Sequence, residues 1–158
     1  MTAIDEPVYV KLNKSGNPNN EFSMSVDKFN FSTWNPGTVA LIQPGSSLFV
    51  RGYTGSLYMD EGNRFYFSTE GTGKLAISGS INALTNFDQI TQTNLFKKLF
   101  KNCSNIVDIS NLKFPTVVLG NGYYEDMFEN CSQLTALPST LGEVKLAPSC
   151  YYGMFNTC

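Results

Sequence analysis

Apolar residues recur with one spacing in three segments of the second half of the chain. Residues 95–104, 123–132 and 150–158 each place apolar side chains at positions i, i+3, i+4 and i+7. Phe100, Phe128 and Phe155 occupy the same position in the three copies. This spacing is typical of one face of a helix, and a helix so short is stable only when neighbours cover that face. We therefore predict stacked repeats in which the three phenylalanines lie one above another.

The remainder of each repeat predicts extended structure. Two short apolar clusters, Val117-Val118-Leu119 and Val144-Lys145-Leu146, precede the second and third copies of the helical pattern. A short helix followed by one or two extended pieces, at a repeat length near 28 residues, resembles a leucine-rich-repeat solenoid. We expect residues 87–90 to cover the first repeat, because the open end of such an array needs a cap.

The first half of the chain predicts β-strands. Apolar and polar residues alternate in short runs separated by glycine, proline and asparagine, as in half-buried strands. Strands at this spacing predict an antiparallel sandwich or barrel. The predicted strands span residues 8–12, 21–26, 28–34, 38–42, 47–53, 56–59, 64–69 and 74–81.

Together these patterns predict an α+β protein of two domains. Residues 1–84 form an antiparallel β-sandwich or barrel, and residues 85–158 begin a leucine-rich-repeat-like solenoid of short helices and strands. The third repeat stops directly after its helical pattern, so we expect the natural chain to continue past Cys158.

Charge and hydropathy exclude several classes of partner. The net charge of the 158 residues is −2 and no basic stripe is present, which argues against nucleic acid as a partner. No apolar run is long enough for insertion into a membrane. The residues after Met1 include Asp5 and Glu6 where a signal peptide has a positive region and an apolar core. If Met1 is the natural start, we expect no export by the usual secretory route.

The four cysteines allow two interpretations. Cys103, Cys131 and Cys158 hold the same place in successive repeats, which favours a ladder of small buried thiols. Disulfide bonds are the alternative, since the number of cysteines is even.

Nothing in the sequence predicts catalysis, a metal or a cofactor. The chain has no histidine, which excludes Ser-His-Asp and Cys-His catalysis and histidine-bound metals. Gly-x-Ser-x-Gly, the phosphate-binding loop and the dinucleotide glycine fingerprint are absent from the sequence. The carboxylates of Glu125 and Asp126 are expected on the solvated side of a helix. We predict that the protein is not an enzyme.

Aromatic residues are the candidate binding residues. Trp34, Tyr53 and Tyr58 lie in or beside predicted strands, where they either line a sugar- or protein-binding surface or fill the core of the sandwich. Tyr123 and Tyr152 fall at the edge of the apolar stripe or beyond it, which predicts exposure on one side of the repeats.

Two stretches of the sequence resemble a known family. Residues 150–158 (CYYGMFNTC) and 124–137 (YEDMFENCSQLTAL) are similar to BspA-type leucine-rich repeats of gut Bacteroidetes and their phages, which read CYxxMFxGCTSLTxAPxLPATTLA. Residues 142–144 depart from the PATT of that pattern. Upstream, residues 25–34 and 77–84 are similar to the YSxDGGxxW and VSGNIMSL segments of the family. The likeness is specific in the repeats and looser in the β-region.

The resemblance implies a non-enzymatic surface module. Proteins of this kind include bacterial surface proteins thought to serve adhesion, and fibre or decoration proteins of Bacteroides phages, crAss-like ones among them. We expect a virion protein, a head fibre, tail fibre or decoration protein, that docks on capsid or tail proteins and presents its repeats to a protein or glycan of the host surface. It is expected to form a homo-oligomer. The alternative is a bacterial cell-surface adhesin or glycan-binding module.

Overall fold

The described structure is built from short β-strands and turns. In this computed structural model, residues 1–16, 21–53, 62–85, 93–115 and 117–158 are described, and the side chains of residues 53, 117, 118, 143 and 144 are left aside. One short 3₁₀ helix spans Ile81–Leu84. The strands are, in chain order, β1 (Thr2–Ala3), β2 (Val8–Ser15), β3 (Glu21–Ser25), β4 (Ser32–Trp34), β5 (Val39–Ile42), β6 (Phe49–Tyr53), β7 (Arg64–Glu70), β8 (Leu75–Ala76), β9 (Gly79–Ser80), β10 (Ile106–Asp108), β11 (Leu112–Lys113), β12 (Val117–Val118) and β13 (Glu143–Lys145).

Two three-stranded antiparallel sheets form the first half. One sheet has the order β5-β2-β7 and the other the order β4-β3-β6. Strand β2 alternates as the sequence predicts, since Val8, Val10 and Leu12 are fully buried while Tyr9 between them is exposed.

Aromatic rings fill the space between these two sheets. The ring of Phe22 on β3 lies 4.8 Å from that of Phe65 on β7, in an edge-to-face arrangement. Trp34 on β4 lies 5.7 Å from Phe67 on β7. Pairs of this geometry add to the hydrophobic gain of burial, so the two sheets are joined by their aromatic side chains.

The second half contains turns where helices were predicted. The described residues include no α-helix, so the predicted α+β class with a solenoid of short helices is wrong. Each of the three repeats forms a chain of overlapping turns, which we call the first, second and third turn layers (residues 93–103, 121–131 and 148–158). Every fourth residue of a layer has a positive φ, which no α-helix allows. These residues are Asn94, Lys98 and Asn102, then Gly122, Asp126 and Asn130, then Ser149, Gly153 and Thr157.

Backbone hydrogen bonds join each turn layer to the next. Phe96 N–H donates to Tyr123 O over 2.8 Å, and Phe100 N–H donates to Met127 O over 2.9 Å. The second layer repeats this pattern, with Tyr124 N–H donating to Cys150 O over 2.8 Å. The N–H groups between them bond within their own layer, to the carbonyl three residues earlier. Each layer therefore satisfies its buried backbone partly through its neighbour.

Aromatic rings at equal repeat positions stack across the layers. Phe100 lies 5.4 Å from Phe128, and Phe128 lies 5.8 Å from Phe155, with ring planes within 11° and 9° of parallel. Phe67 of β7 extends this column by stacking on Phe100 at 5.2 Å. The prediction that the three phenylalanines lie one above another is confirmed.

Short parallel strand pairs accompany the turn layers. β10 pairs with β8, β11 pairs with β9, and β12 pairs with β13, all in parallel. The first two pairs join the repeats to the β-region, and Phe67 N–H also donates to Leu99 O over 2.8 Å. One cluster of buried apolar residues runs through both halves.

The cysteines form a column of free thiols. All four cysteines are unbonded to one another. The thiols of Cys131 and Cys158 donate to the carbonyl oxygens of Phe100 and Phe128 one layer earlier, and the thiol of Cys103 donates to Phe67 O on β7, at 3.1 to 3.3 Å. Burial raises the pKa of the Cys103 thiol to about 12. The predicted ladder of buried thiols is confirmed for Cys103 and Cys131, whereas Cys158 is exposed.

Three ion pairs join the first two turn layers. Lys97 Nζ lies 2.9 Å from Glu125 Oε1, and Lys98 Nζ lies 3.9 Å from Asp126 Oδ2. Lys101 contacts Glu129 in the same way. The placement of these carboxylates on a solvated helix side is therefore wrong, because each lies half-buried beneath a lysine at the equivalent repeat position.

Other predicted elements differ or fall outside the description. The predicted strand 28–34 is observed only at Ser32–Trp34, and the predicted strand 74–81 is two short strands, β8 and β9. The predicted strand 56–59 and the predicted cap 87–90 lie outside the described residues.

The stacked phenylalanines predict a large cost of truncation in the middle layer. Phe128→Ala should lower the free energy of unfolding by about 3–5 kcal/mol, because it opens a cavity between two rings. Gln133→Ala, at an exposed residue two positions past the layer, should change it by less than about 0.5 kcal/mol. Urea denaturation followed by circular dichroism measures both, and equal effects would contradict the stack.

The ion pair between Lys97 and Glu125 should contribute more to stability than an ion pair in solvent. The Lys97 side chain is 7% exposed and that of Glu125 is 20% exposed, so Glu125→Gln should cost about 1–3 kcal/mol of unfolding free energy by weakening the interactions of a buried cation. Lys74→Ala removes a pair with Asp5 that lies in solvent, and should lower the free energy of unfolding by clearly less than Glu125→Gln does. A Glu125→Gln variant as stable as Lys74→Ala in the same urea titration would refute this account.

Candidate interaction surface

Two of the aromatic residues singled out in the sequence lie inside the protein. Trp34 is buried, and its Nε1–H donates to Thr38 O over 3.1 Å. Tyr123 is fully buried between Phe96 and Tyr124, so the expected exposure of Tyr123 is wrong. Their rings contribute to the core and do not reach a partner.

The other three candidates are placed differently. Tyr53 is the last residue of β6, with its side chain outside the description, and Tyr58 lies outside the described residues. Tyr152 is 69% exposed in the third turn layer. Its repeat equivalents are Lys97 and Glu125, so the ion-pair column gives way to an aromatic residue there. The structure does not bring the five candidates together.

A loop between β3 and β4 carries the most exposed aromatic residue among the described hydrophobic side chains. Phe29 is 85% exposed and Val26 is 79% exposed. We call residues 25–30 the Asp27 loop. Two exposed apolar side chains on one loop make this loop a candidate for contact with a partner.

The carboxylate of Asp27 holds this loop in one conformation. Its Oδ1 accepts hydrogen bonds from Ser25 Oγ–H at 2.7 Å, Phe29 N–H at 2.9 Å and Asn30 N–H at 2.8 Å. Its Oδ2 accepts a fourth from the Asn30 side-chain amide at 2.6 Å. The intervening Lys28 takes a positive φ of 72°, a conformation that this network stabilises.

These hydrogen bonds also shift the acidity of the loop. The Asn30 backbone N–H, followed by the side chains of Ser25 and Asn30 and the Phe29 N–H, holds the pKa of Asp27 well below its usual range. The charged carboxylate therefore belongs to the folded loop at neutral pH. Phe29 is presented by a loop that is already ordered, which reduces the entropy cost of binding a partner.

A second exposed apolar patch lies on the outer face of the first sheet. Tyr9 on β2 and Leu41 on β5 are paired across the strands. Val39 lies two residues before Leu41 on β5, on the same face of the sheet. All three are exposed, while their alternate neighbours are buried. β5 is an edge strand of this sheet, a position where natural sheets more often carry charge or a covering element.

Both surfaces carry exposed apolar side chains. In the described part of the chain, no three potential metal ligands of the His, Cys, Asp or Glu type come together. None of the helices in that part is long and apolar enough to cross a membrane. What the surfaces offer a partner is apolar area on ordered backbone.

Comparisons with known proteins add no assignment. Searches of family models, of curated proteins and of solved structures return no match to this chain. Its own exposed surface must therefore indicate the kind of partner.

The Asp27 loop was missed because residues 28–34 alternate like a strand. Phe29, Phe31 and Thr33 occupy one set of alternate positions. The signal for a loop was Asp27 itself, three residues before Asn30, since aspartate hydrogen-bonds the backbone two and three residues on. Local hydrogen bonding outweighs the alternation there.

The lowered pKa predicts a pH-dependent effect of Asp27. Because the folded pKa lies below the unfolded value of 3.8, the stability that Asp27 contributes is complete above pH 3.8 and is lost as the pH falls towards the folded pKa. Asp27→Asn should therefore lower the melting temperature at pH 7, and the gap should narrow below pH 3.8. Thermal melts across that range measure it. Glu21→Gln, an exposed carboxylate on β3, is the control, and a gap that stays constant with pH would contradict the prediction.

Proposed function

We propose that this chain is a non-enzymatic structural and interaction protein of a virion, a head fibre, tail fibre or decoration protein that attaches to a host surface. The observation that carries the proposal is Phe29, an exposed aromatic side chain on a loop ordered by Asp27. The resemblance of the repeats to BspA-type proteins supplies the class of assembly. On this proposal the β-region docks on capsid or tail proteins and the repeats face outward.

Phe29 has the properties of an anchor residue for docking. Aromatic side chains that enter a pocket of a partner supply a large part of the binding energy of protein interfaces. Burying an exposed phenylalanine yields about 1.5–3 kcal/mol from the hydrophobic effect, and Val26 of the same loop is exposed as well. Because the Asp27 loop is ordered before binding, little of that gain is spent on ordering it.

The outer face of the first sheet supports contact with further protein. Tyr9, Val39 and Leu41 form an apolar patch on an edge of the sheet, and a homo-oligomer or a capsid protein is the proposed partner that covers it. Several copies on one particle would raise the avidity for a host surface far above that of one copy.

The turn layers support the outward role of the repeats. Each layer adds the same backbone contacts and the same ring column to the one before, so side chains at equal positions form rows along the repeats. Tyr152 ends one such row in the third layer and is exposed. We propose that this side chain contacts the host, through a protein or a glycan.

The proposal predicts that the two exposed aromatic residues act in separate steps. In a co-sedimentation assay, the purified chain is mixed with phage particles from which this protein is missing. Phe29→Ala should weaken its binding to these particles by about tenfold or more, since anchor residues contribute about 2 kcal/mol. Tyr152→Ala should leave docking on particles unchanged and reduce binding of the labelled chain to host cells. Gln133→Ala, at an exposed residue outside both proposed contact surfaces, is the control for Tyr152→Ala on host cells.

Immunogold electron microscopy with an antibody against the chain tests its location. Label on virions supports the proposal. Label confined to the surface of bacterial cells would contradict the proposal and support the alternative, a bacterial adhesin or glycan-binding module. Melting curves of each variant show whether a lost interaction reflects a lost fold.

A further inference from the structure

A cavity lies where the second sheet meets the 3₁₀ helix. Its volume is about 550 Å³, within the range of small-molecule sites. Strand β6 forms one wall, and β9 with the 3₁₀ helix forms another. The floor consists of buried apolar side chains, namely Leu48, Ile77, Ile81, Leu84, Phe100 and Leu112.

The mouth of this cavity is cationic. Lys28 of the Asp27 loop and Arg51 of β6 line it, and both are exposed. The Arg51 guanidinium lies 4.0 Å above the centre of the Phe31 ring, and its Nε–H donates to Ser23 Oγ over 3.1 Å. No aspartate or glutamate lines the wall that the described residues form.

The surroundings hold the Lys28 backbone and the Arg51 guanidinium in position. The Lys28 backbone is fixed by the hydrogen bonds that Phe29 N–H and Asn30 N–H donate across it to the Asp27 carboxylate. Arg51 is fixed by stacking on Phe31, an arrangement that favours guanidinium over ammonium. Two exposed cations therefore line the cavity beside its apolar floor.

We propose that this cavity binds an amphiphilic carboxylate, a molecule with an unbranched apolar chain and one carboxylate end. The chain lies against the apolar floor, and the carboxylate lies at the mouth beside Lys28 and Arg51. A guanidinium pairs with a carboxylate through two parallel hydrogen bonds, while the floor offers an alkyl chain only apolar atoms. Through Lys28 the site shares the Asp27 loop with the proposed docking residue Phe29, but binding of the carboxylate does not require attachment.

Isothermal titration calorimetry with saturated fatty acids tests the proposal. Dodecanoate, kept below its aggregation concentration, should bind the full chain with a stoichiometry of one. Each methylene removed, from dodecanoate through decanoate to octanoate, should weaken binding by up to about fourfold. Dodecanol, which has the same chain without the charge, should bind at least tenfold more weakly.

Variants assign the binding to this cavity. Lys28→Gln with Arg51→Gln should weaken dodecanoate binding by about tenfold, the sum of two exposed ion pairs. Lys113→Gln, an exposed lysine on β11 outside the cavity, should leave it unchanged. Ala83→Trp places a large side chain in the wall and should abolish binding. Ser78→Trp serves the same purpose if circular dichroism shows that Ala83→Trp does not fold.

Three results would overturn the proposal. They are the absence of a heat signal with dodecanoate, equal affinity for dodecanol and dodecanoate, and binding that persists in a folded tryptophan variant.

Discussion

The hydrogen bonds between successive turn layers are the constraint on which the second half of the molecule depends. A turn layer can satisfy only part of its backbone internally, and the rest must reach the carbonyl groups of the next layer. That requirement sets the register of every repeat. Once it is set, side chains at equal positions meet their equivalents, so that Phe100 faces Phe128 and Lys97 faces Glu125.

The β-region supplies the first surface on which this register begins. The carbonyl oxygen of Phe67 on β7 accepts a hydrogen bond from the Cys103 thiol, and Phe67 N–H donates to Leu99 O. These two bonds set the position of the first turn layer relative to β7. The buried amide of Asn105 then donates to the carbonyl oxygens of Gly71 and Gly73, just past the end of β7. The sheet edge, an exposed liability in many proteins, is thereby covered by the chain itself.

Sequence periodicity predicts the partners of a residue better than it predicts the backbone that connects them. The 27- and 28-residue steps were enough to place the phenylalanines in one column. Spacing at i, i+3, i+4 and i+7 indicates a helix, but turns that repeat every four residues bring the same side chains to one side. Asn94, Asn102, Gly122 and Asn130 carried the missing signal, since asparagine and glycine tolerate positive φ. Lys98 obscures it, because lysine rarely adopts that conformation.

The arrangement of bonds between the layers has a mechanical consequence. Five backbone N–H groups in the described part of the first turn layer, from Asn94 to Asn102, bond to the second layer side by side. We call the set of hydrogen bonds between two layers a junction. A force along the stacking direction acts on the five bonds of one junction in parallel, whereas successive junctions bear that force in series. Tension is thus shared within a junction and passed undiminished to the next, so the load that such an array withstands is set by its weakest junction and not by its length.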